Sequence, residues 1–440
     1  MSFFNEIEHS AKTHVGIKRP HNQDAFVVQQ APDKDNWHTV GHLYLVADGM
    51  GGHAVGEKAS AKAVQEIPLK FVKCIATDGP ANALRKAFQE ANAGIHAIGE
   101  SNPEFRGMGT TATALVLRGE GAWVAHVGDS RAYRIRDGSI QQLTYDHSYS
   151  WELARRLGIP PEEMEDVKKN VIVRSLGPDA LVQVDIEGPY PLQSGDAFLL
   201  CSDGLSNLVT PDEIGAIVSS MPLPEATEFL IELANLRGGP DNITAIAVRI
   251  GQTTESMAID PADKQFLQKI QKSFLGKIPW PMWLLLLGIL LALGFVVASM
   301  AAWKGGVLLF ACSLLSMVAG MIGLIMQTRK RPEQSDLEAP PATKANIHRQ
   351  YPIRIDQSLV DRWKNLTLQI KEQLEAREWK TEWTQYKKHV DEATRCMIDS
   401  DYLVAFRSFS RALHVLSRSF NKNRPKEESF KPKWDNNSGG

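Results

Sequence analysis

The sequence predicts an α+β fold over its first 251 residues, with sheets layered between helices, followed by two membrane-crossing helices and an all-α tail. Three observations predict this. Short apolar runs, LYLVA at 43–47, WVAHV at 123–127 and AFLLC at 197–201, alternate with helix-like stretches at 56–73, 81–98 and 224–237. Runs of about five residues suit strands, and longer ones suit helices. Two stretches without a charged residue follow, and beyond them a segment rich in Lys, Glu and Arg carries apolar residues at helical spacing.

In chain order, the first segment opens on MSFFNEIEHSAKTH, which has acidic residues and no apolar core and so does not fit a secretory signal peptide. The N-terminal part is therefore expected in the cytoplasm. Cys74, Cys201, Cys312 and Cys396 lie far apart without a CxxC pair, which fits a reducing compartment. A net charge of -2 and a pI near 6.7 argue against a nucleic-acid partner. At 440 residues the chain exceeds the usual size of one core.

Ile278–Trp303 gives 26 uncharged positions and Gly305–Thr328 another 24, against roughly 20 needed to cross a bilayer. Trp280, Trp283 and Trp303 stand near their ends, where interfacial aromatics belong. Lys264, Lys269, Lys272 and Lys277 precede the pair and Arg329, Lys330 and Arg331 follow it, with Lys304 alone between the two runs. Positive charge on both flanks predicts a multi-pass protein of the cytoplasmic membrane with both termini in the cytoplasm. The expected organisation is a module at 1–251, a linker at 252–277, two transmembrane helices at 278–328, a linker at 329–350, a helical tail at 351–425 and a disordered C-terminus at 426–440.

Leu359, Trp363, Leu366, Ile370 and Leu374 give the tail its helical period. Asp401, Tyr402, Ala405, Phe409, Ala412 and Leu413 resemble the second helix of a tetratricopeptide repeat, but such repeats need stacked neighbours, so an ordinary helical hairpin or small bundle is the simpler reading. Such a tail is a candidate for binding a protein partner.

Chemistry concentrates where apolar runs meet aspartates: Asp48 in LYLVADGMGG, Asp129 in WVAHVGDSR, Asp203 in LLCSDGL and Asp241 in PDNITAIAV. A strand end fixes a side chain at the rim of a sheet, although Asp-Gly is also common turn punctuation. Carboxylates without matching His or Cys suit hard cations, Mg2+ or Mn2+. Two such ions bridging a water lower its pKa and neutralise an attacked phosphoryl group, which points to phosphoester hydrolysis. Arg19 in VGIKRPHNQDAF, just before Asn22, Gln23 and Asp24, is a candidate donor to a phosphate dianion or else a surface arginine.

Seven segments in order, GIKRPHNQDAF, ADGMGGHAVGEKAS, GTTATAL, AHVGDSRAYR, LTYDHS, GDAFLLCSDGLSN and GGPDNITAI, resemble the successive motifs of the bacterial type-2C metal-dependent protein phosphatases. The resemblance covers about residues 10–251 and implies a four-layer sandwich, two antiparallel β-sheets flanked by helices, with the metals at one end between the sheets. It implies hydrolysis of phosphoserine and phosphothreonine in proteins, substrates of a serine/threonine kinase, at a site of two Mn2+ or Mg2+ ions, or three. Carried onto this chain, Asp48 would bridge two metals, the Gly49 carbonyl would join one, and Asp203 with Asp241 the other. Asp129 with Asp203 would hold a third, and Arg19 would grip the substrate phosphate.

Gln23 stands where many relatives have a metal-facing Glu, and Met50 where eukaryotic members have a proposed general-acid His. Asp24 is the residue that can supply the missing charge, by holding a metal-bound water, or it is a solvated turn aspartate. His53 and His126 are candidate acids for which a structural role is the simpler reading. The segment at 149–170 resembles the family's variable flap. A catalytically silent phosphoprotein-binding scaffold is the alternative, with Gln23 and Met50 marking lost function.

Overall fold

The structure is a computed structural model that describes residues 3–51, 55–159, 171–251 and 350–423. In chain order its elements are β1 (Ile7–His14), β2 (Asp24–Gln29), α1 (Lys34–Thr39), β3 (His42–Met50), α2 (Val55–Ser101), β4 (Gly109–Thr110), β5 (Ala112–Arg118), β6 (Gly121–Val127), β7 (Arg131–Arg136), β8 (Ser139–Gln142) and α3 (Tyr149–Leu157). There follow β9 (Asp185–Tyr190), β10 (Ala197–Cys201), α4 (Asp203–Ser206), α5 (Pro211–Ser220), α6 (Leu223–Leu236) and β11 (Ile243–Ile250). The tail supplies β12 (Gln350–Pro352), α7 (Gln357–Ala376), α8 (Trp383–Ile398) and α9 (Tyr402–Asn423).

Two six-stranded antiparallel sheets face each other, one ordered β1-β11-β10-β7-β8-β12 and the other β2-β3-β5-β6-β9 with β4 beside β3. The central strands β3, β5, β10 and β11 are apolar on both faces because both faces are covered. In β3, Tyr44 and Val46 point between the sheets while Leu43, Leu45 and Ala47 pack under α2. In β10, Phe198 and Leu200 point between the sheets while Leu199 and Cys201 pack under α5 and α6. This two-residue alternation turns apolar runs into the middle layers of a sandwich, as the sequence predicts. The long α2 is broken at Gly79, with Pro80 opening its second arm, which accounts for the two helix-like stretches at 56–73 and 81–98.

The tail expected to be all-α at 351–425 instead opens within a strand, β12, which pairs β8, before the helices α7, α8 and α9, and it does not stand apart. Residues on either side of the 252–349 stretch belong to one compact unit. The reason lies in α6, LPEATEFLIELANL, which buries Leu223, Phe229, Leu230, Ile231, Leu233 and Leu236 and so is apolar around more than one face. One side packs on β1 and β11 and another receives α9, which itself packs against α7 and α8. Trp363, Phe406, Phe409 and Phe420 are fully or almost fully buried in the core so formed, each worth roughly 1.5–3 kcal/mol of burial. Polar contacts flank the seam: an ion pair from Arg411 to Glu225 at 2.7 Å, and His414 Nδ1 2.6 Å from Glu232.

The proposed transmembrane pair at 278–328, the linker at 252–277, residues 329–349 of the second linker and the C-terminus at 426–440 lie outside the described residues, while Gln350, placed at the end of that linker, opens β12. Among the described residues no helix is long and apolar enough to cross a membrane.

Candidate metal centre

The carboxylates singled out in the sequence converge on one end of the sandwich. The antiparallel register of β2 and β3 sets Asp24 directly opposite Asp48. Asp203 opens α4 immediately after β10, and Asp241 sits in the turn that leads into β11, the neighbour of β10. These two turns touch: a Cβ on Gly204 would lie 2.0 Å from the Asn242 carbonyl oxygen, so only glycine lets Asp203 come this close. Asp129 follows β6 and is buried.

The backbone around Asp48 is fixed by hydroxyls. Its N–H donates to Thr111 Oγ1 at 2.9 Å, Thr110 Oγ1 donates to its carbonyl at 2.9 Å, and Thr111 Oγ1 is 2.7 Å from Ser130 Oγ. Gly49 N–H donates to the Gln23 carbonyl at 3.1 Å. Met50 ends β3. None of the residues 110, 111 and 130 was assigned a role from sequence, although each lies within a quoted motif.

Electrostatically the cluster is under-compensated. Burial, and then the charges of Asp24, Asp203, Asp129 and Asp241, push the Asp48 carboxyl well above the usual carboxylate range. Burial likewise raises Asp129 and Asp203, reinforced by the charge of Asp203 on the former and of Asp241 on the latter. Asp24, raised to about 7 chiefly by burial, accepts hydrogen bonds from Ser202 Oγ at 2.7 Å and Thr244 Oγ1 at 2.6 Å through one oxygen. Its other oxygen, with Oδ1 of Asp129 and Oδ1 of Asp203, is buried and has no hydrogen-bond partner. Oxygens so placed are costly unless a cation meets them. The donor set is carboxylate and carbonyl oxygen, so it fits hard divalent cations.

At the rim, Arg19 Nη2 lies 2.8 Å from Asp241 Oδ2 with its side chain 48% exposed, within reach of an incoming anion. Deeper in, Arg131 grips Asp146 with Nε and Nη2 at 2.7–3.1 Å, an ion pair the sequence reading did not single out. His126 is closed on both ring nitrogens, by Thr113 Oγ1 at 2.8 Å and the Tyr145 carbonyl at 3.0 Å, and burial holds its pKa down to about 3. It is a structural histidine. His53 and the flap residues 160–170 lie outside the described residues, while α3 forms the start of that flap.

Among the described residues a tighter set of potential ligands occurs elsewhere, Glu228, Glu232 and His414, with ligand atoms within 4.8 Å of one another. Lys12 already neutralises Glu228 at 2.9 Å, and His414 Nδ1 lies 2.6 Å from Glu232 Oε2, so this group reads as a polar contact joining α9 to α6.

The profile of the family described as Protein phosphatase 2C matches residues 16–236. Serine/threonine phosphatase stp of Listeria welshimeri is 39% identical over 242 residues, 54% of this chain and 93% of that protein. Protein phosphatase PhpP of Streptococcus pneumoniae is 39% identical over 254 residues, 56% of this chain and 98% of that protein. The crystal structure of serine/threonine phosphatase Stp1 from Staphylococcus aureus superposes with a TM-score of 0.50 at 29% identity, over 56% of this chain and 96% of that one.

Proposed function

This chain belongs to the protein phosphatase 2C family and is a metal-dependent protein serine/threonine phosphatase, and from that premise we propose which of its residues hold the cations and the phosphate. The observation that carries the assignment is the set of buried, unpartnered oxygens on Asp24, Asp129 and Asp203 around Asp48. Asp48, the Gly49 carbonyl, Asp203 and Asp241 would hold two cations. Asp129 with Asp203 would hold a third. Asp24, anchored by Ser202 and Thr244, acts from behind the ligands and supplies the charge that Gln23 lacks.

When bound, Mn2+ or Mg2+ supplies an ionised water as nucleophile and neutralises the phosphoryl group. The chain's part is to hold and orient. Thr110, Thr111 and Ser130 fix the Asp48 backbone, the contact of Gly204 with Asn242 sets Asp203 beside Asp241, and Arg19 offers a guanidinium to the phosphate of a phosphoserine or phosphothreonine. The silent-scaffold alternative loses ground because all five aspartates are present and clustered.

The test uses the full-length protein. Release of phosphate from a phosphothreonine peptide should require Mn2+ or Mg2+ and stop on chelation; activity that persists in chelator would overturn the assignment.

For location, we propose that 278–328 crosses the cytoplasmic membrane twice and leaves module and tail on its cytoplasmic face. The uncharged stretches and their basic flanks support this. So does the joining of residues 3–251 and 350–423 in one compact unit, since an odd number of crossings would separate them. Resistance of the protein to alkaline extraction from membranes tests it, and release into the supernatant would contradict it. The substrates are then phosphorylated proteins reachable from that face. Among the described residues, the partner of the tail is the phosphatase module itself.

A further inference from the structure

A cavity of about 360 Å³ opens beside the aspartate cluster, and one of its walls comes from the tail. Asp129 and Asp203 form its acidic end, while Trp151 of α3, Val209, Pro211 and Tyr351 of β12 lie around it. Tyr351 is held there by its neighbours. It pairs with Ile140 in the ladder between β12 and β8, and the next register step pairs Pro352 with Ser139. Ile353 N–H donates to the Gly138 carbonyl at 2.8 Å. Two residues along the same face of the chain, Ile353 presses on α5, where a Cβ added to Gly215 would lie 2.7 Å from its side chain. A glycine inside a helix weakens it; here its bareness makes room for the tail.

We infer that Tyr351 is a specificity residue that contacts an apolar side chain of the phosphoprotein flanking the phosphorylated residue. The inference rests on the hydrolase reading above. The cavity adjoins the ions' proposed position, and its volume suits a side chain. Its charges are already committed: Arg131 is paired with Asp146 at 2.7 Å, and the buried, unpartnered oxygens of Asp129 and Asp203 would be taken by the cations. Of the uncharged polar groups there, Ser148 bonds Ser150 at 3.2 Å, Asn207 donates to Asp203 at 3.1 Å and Thr210 donates to Asp212, so an occupant meets Ser206 Oγ beside the aromatic and aliphatic surface of Trp151, Val209, Pro211 and Tyr351. The family profile ends at residue 236, so this wall is an addition that relatives spanning the module alone do not carry.

The experiment compares full-length wild type, Tyr351→Ala and Tyr351→Leu with Mn2+ on para-nitrophenyl phosphate and on phosphothreonine peptides bearing leucine or serine beside the phosphothreonine. Wild type should favour the leucine peptides, and Tyr351→Ala should lose about 10-fold in kcat/KM on them, through KM. Tyr351→Leu should retain most of the preference, and para-nitrophenyl phosphate turnover should be unchanged in both. No preference in wild type, preference kept in Tyr351→Ala, or an equal fall on the aryl phosphate in both variants overturns the inference. Absence of Mn2+-dependent aryl phosphatase activity in wild type would instead overturn the hydrolase reading.

Discussion

Cation binding at the aspartate cluster must displace protons, and Asp24 sets the scale. Burial above all, with the charges of Asp203 and Asp241, lifts its carboxyl from 3.8 to about 7 against the hydrogen bonds from Thr244 and Ser202. A raised carboxyl stabilises the cation-free fold while protonated. That contribution is complete below the unfolded value of 3.8 and is lost as pH rises through about 7, a change on the order of 4 kcal/mol. Bound cations act in the opposite sense, because they favour the ionised form. At about pH 5 the protonated form of such a group outnumbers the ionised one by ~100 to 1, so on account of Asp24 alone cation affinity should be weaker by ~100-fold than at about pH 8. His126 pulls the other way: burial lowers its pKa from 6.5 to about 3, so its contribution is lost as pH falls through this window. It does so with or without cation and cancels in the difference. The assay is thermal unfolding of the full-length protein in chelator and in saturating Mn2+ across this pH range, with calorimetric titration in two buffers to count released protons. The Mn2+-induced rise in Tm should grow with pH, and binding at about pH 6 should release at least about one proton. A pH-independent rise without proton release would refute the reasoning.

Three further outcomes follow from the same contacts. Asp203→Asn should lower kcat on a phosphothreonine peptide by more than about 100-fold, since losing even a residue behind a ligand costs about 10–100-fold; near-normal turnover contradicts its role. Gly215→Leu should force Ile353 off α5 at about 1–3 kcal/mol, lowering Tm by ~2–4 °C per kcal/mol and admitting protease to the segment around β12, with aryl phosphate turnover kept; unchanged Tm and proteolysis would show that the tail is not seated there. His126→Ala should cost about 1–3 kcal/mol by leaving Thr113 and the Tyr145 carbonyl without their partner, while the pH profile of kcat stays the same; a lost acidic or basic limb would make it an acid–base residue.

Much of the site was legible because its grammar is local. An apolar run ending in aspartate describes Asp48, Asp129 and Asp203, a run that begins just after one describes Asp241, and strand geometry carries each to the rim of a sheet. Arg131 and Asp146 were not legible, since their bond joins β7 to a loop 15 residues on and neither spacing nor composition marks it. Asp24 was ambiguous for the opposite reason. Its neighbour Gln23 invites a functional reading of either residue, and only the opposed register with Asp48 and the grip of Ser202 and Thr244 separate a buried carboxylate from a turn aspartate.

The docking of the tail left traces that a linear reading passes over. One is α6, apolar around more than one face, and another is Gly215 in the middle of a helix. Each is a local oddity that a second layer explains, but the layer begins about a hundred residues further on, across a stretch whose composition argues for a separate unit. Long-range β pairing such as that of β12 with β8 has no signature in either strand alone.

The central claim is that five scattered aspartates form one cation site, and anomalous scattering from a crystal of the full-length protein grown with Mn2+ tests it most directly. Two peaks flanking Asp48, between the Gly49 carbonyl on one side and Asp203 and Asp241 on the other, with a further peak beside Asp129, are the expected result. Peaks only at Glu228, Glu232 and His414, or none near Asp48, would contradict it.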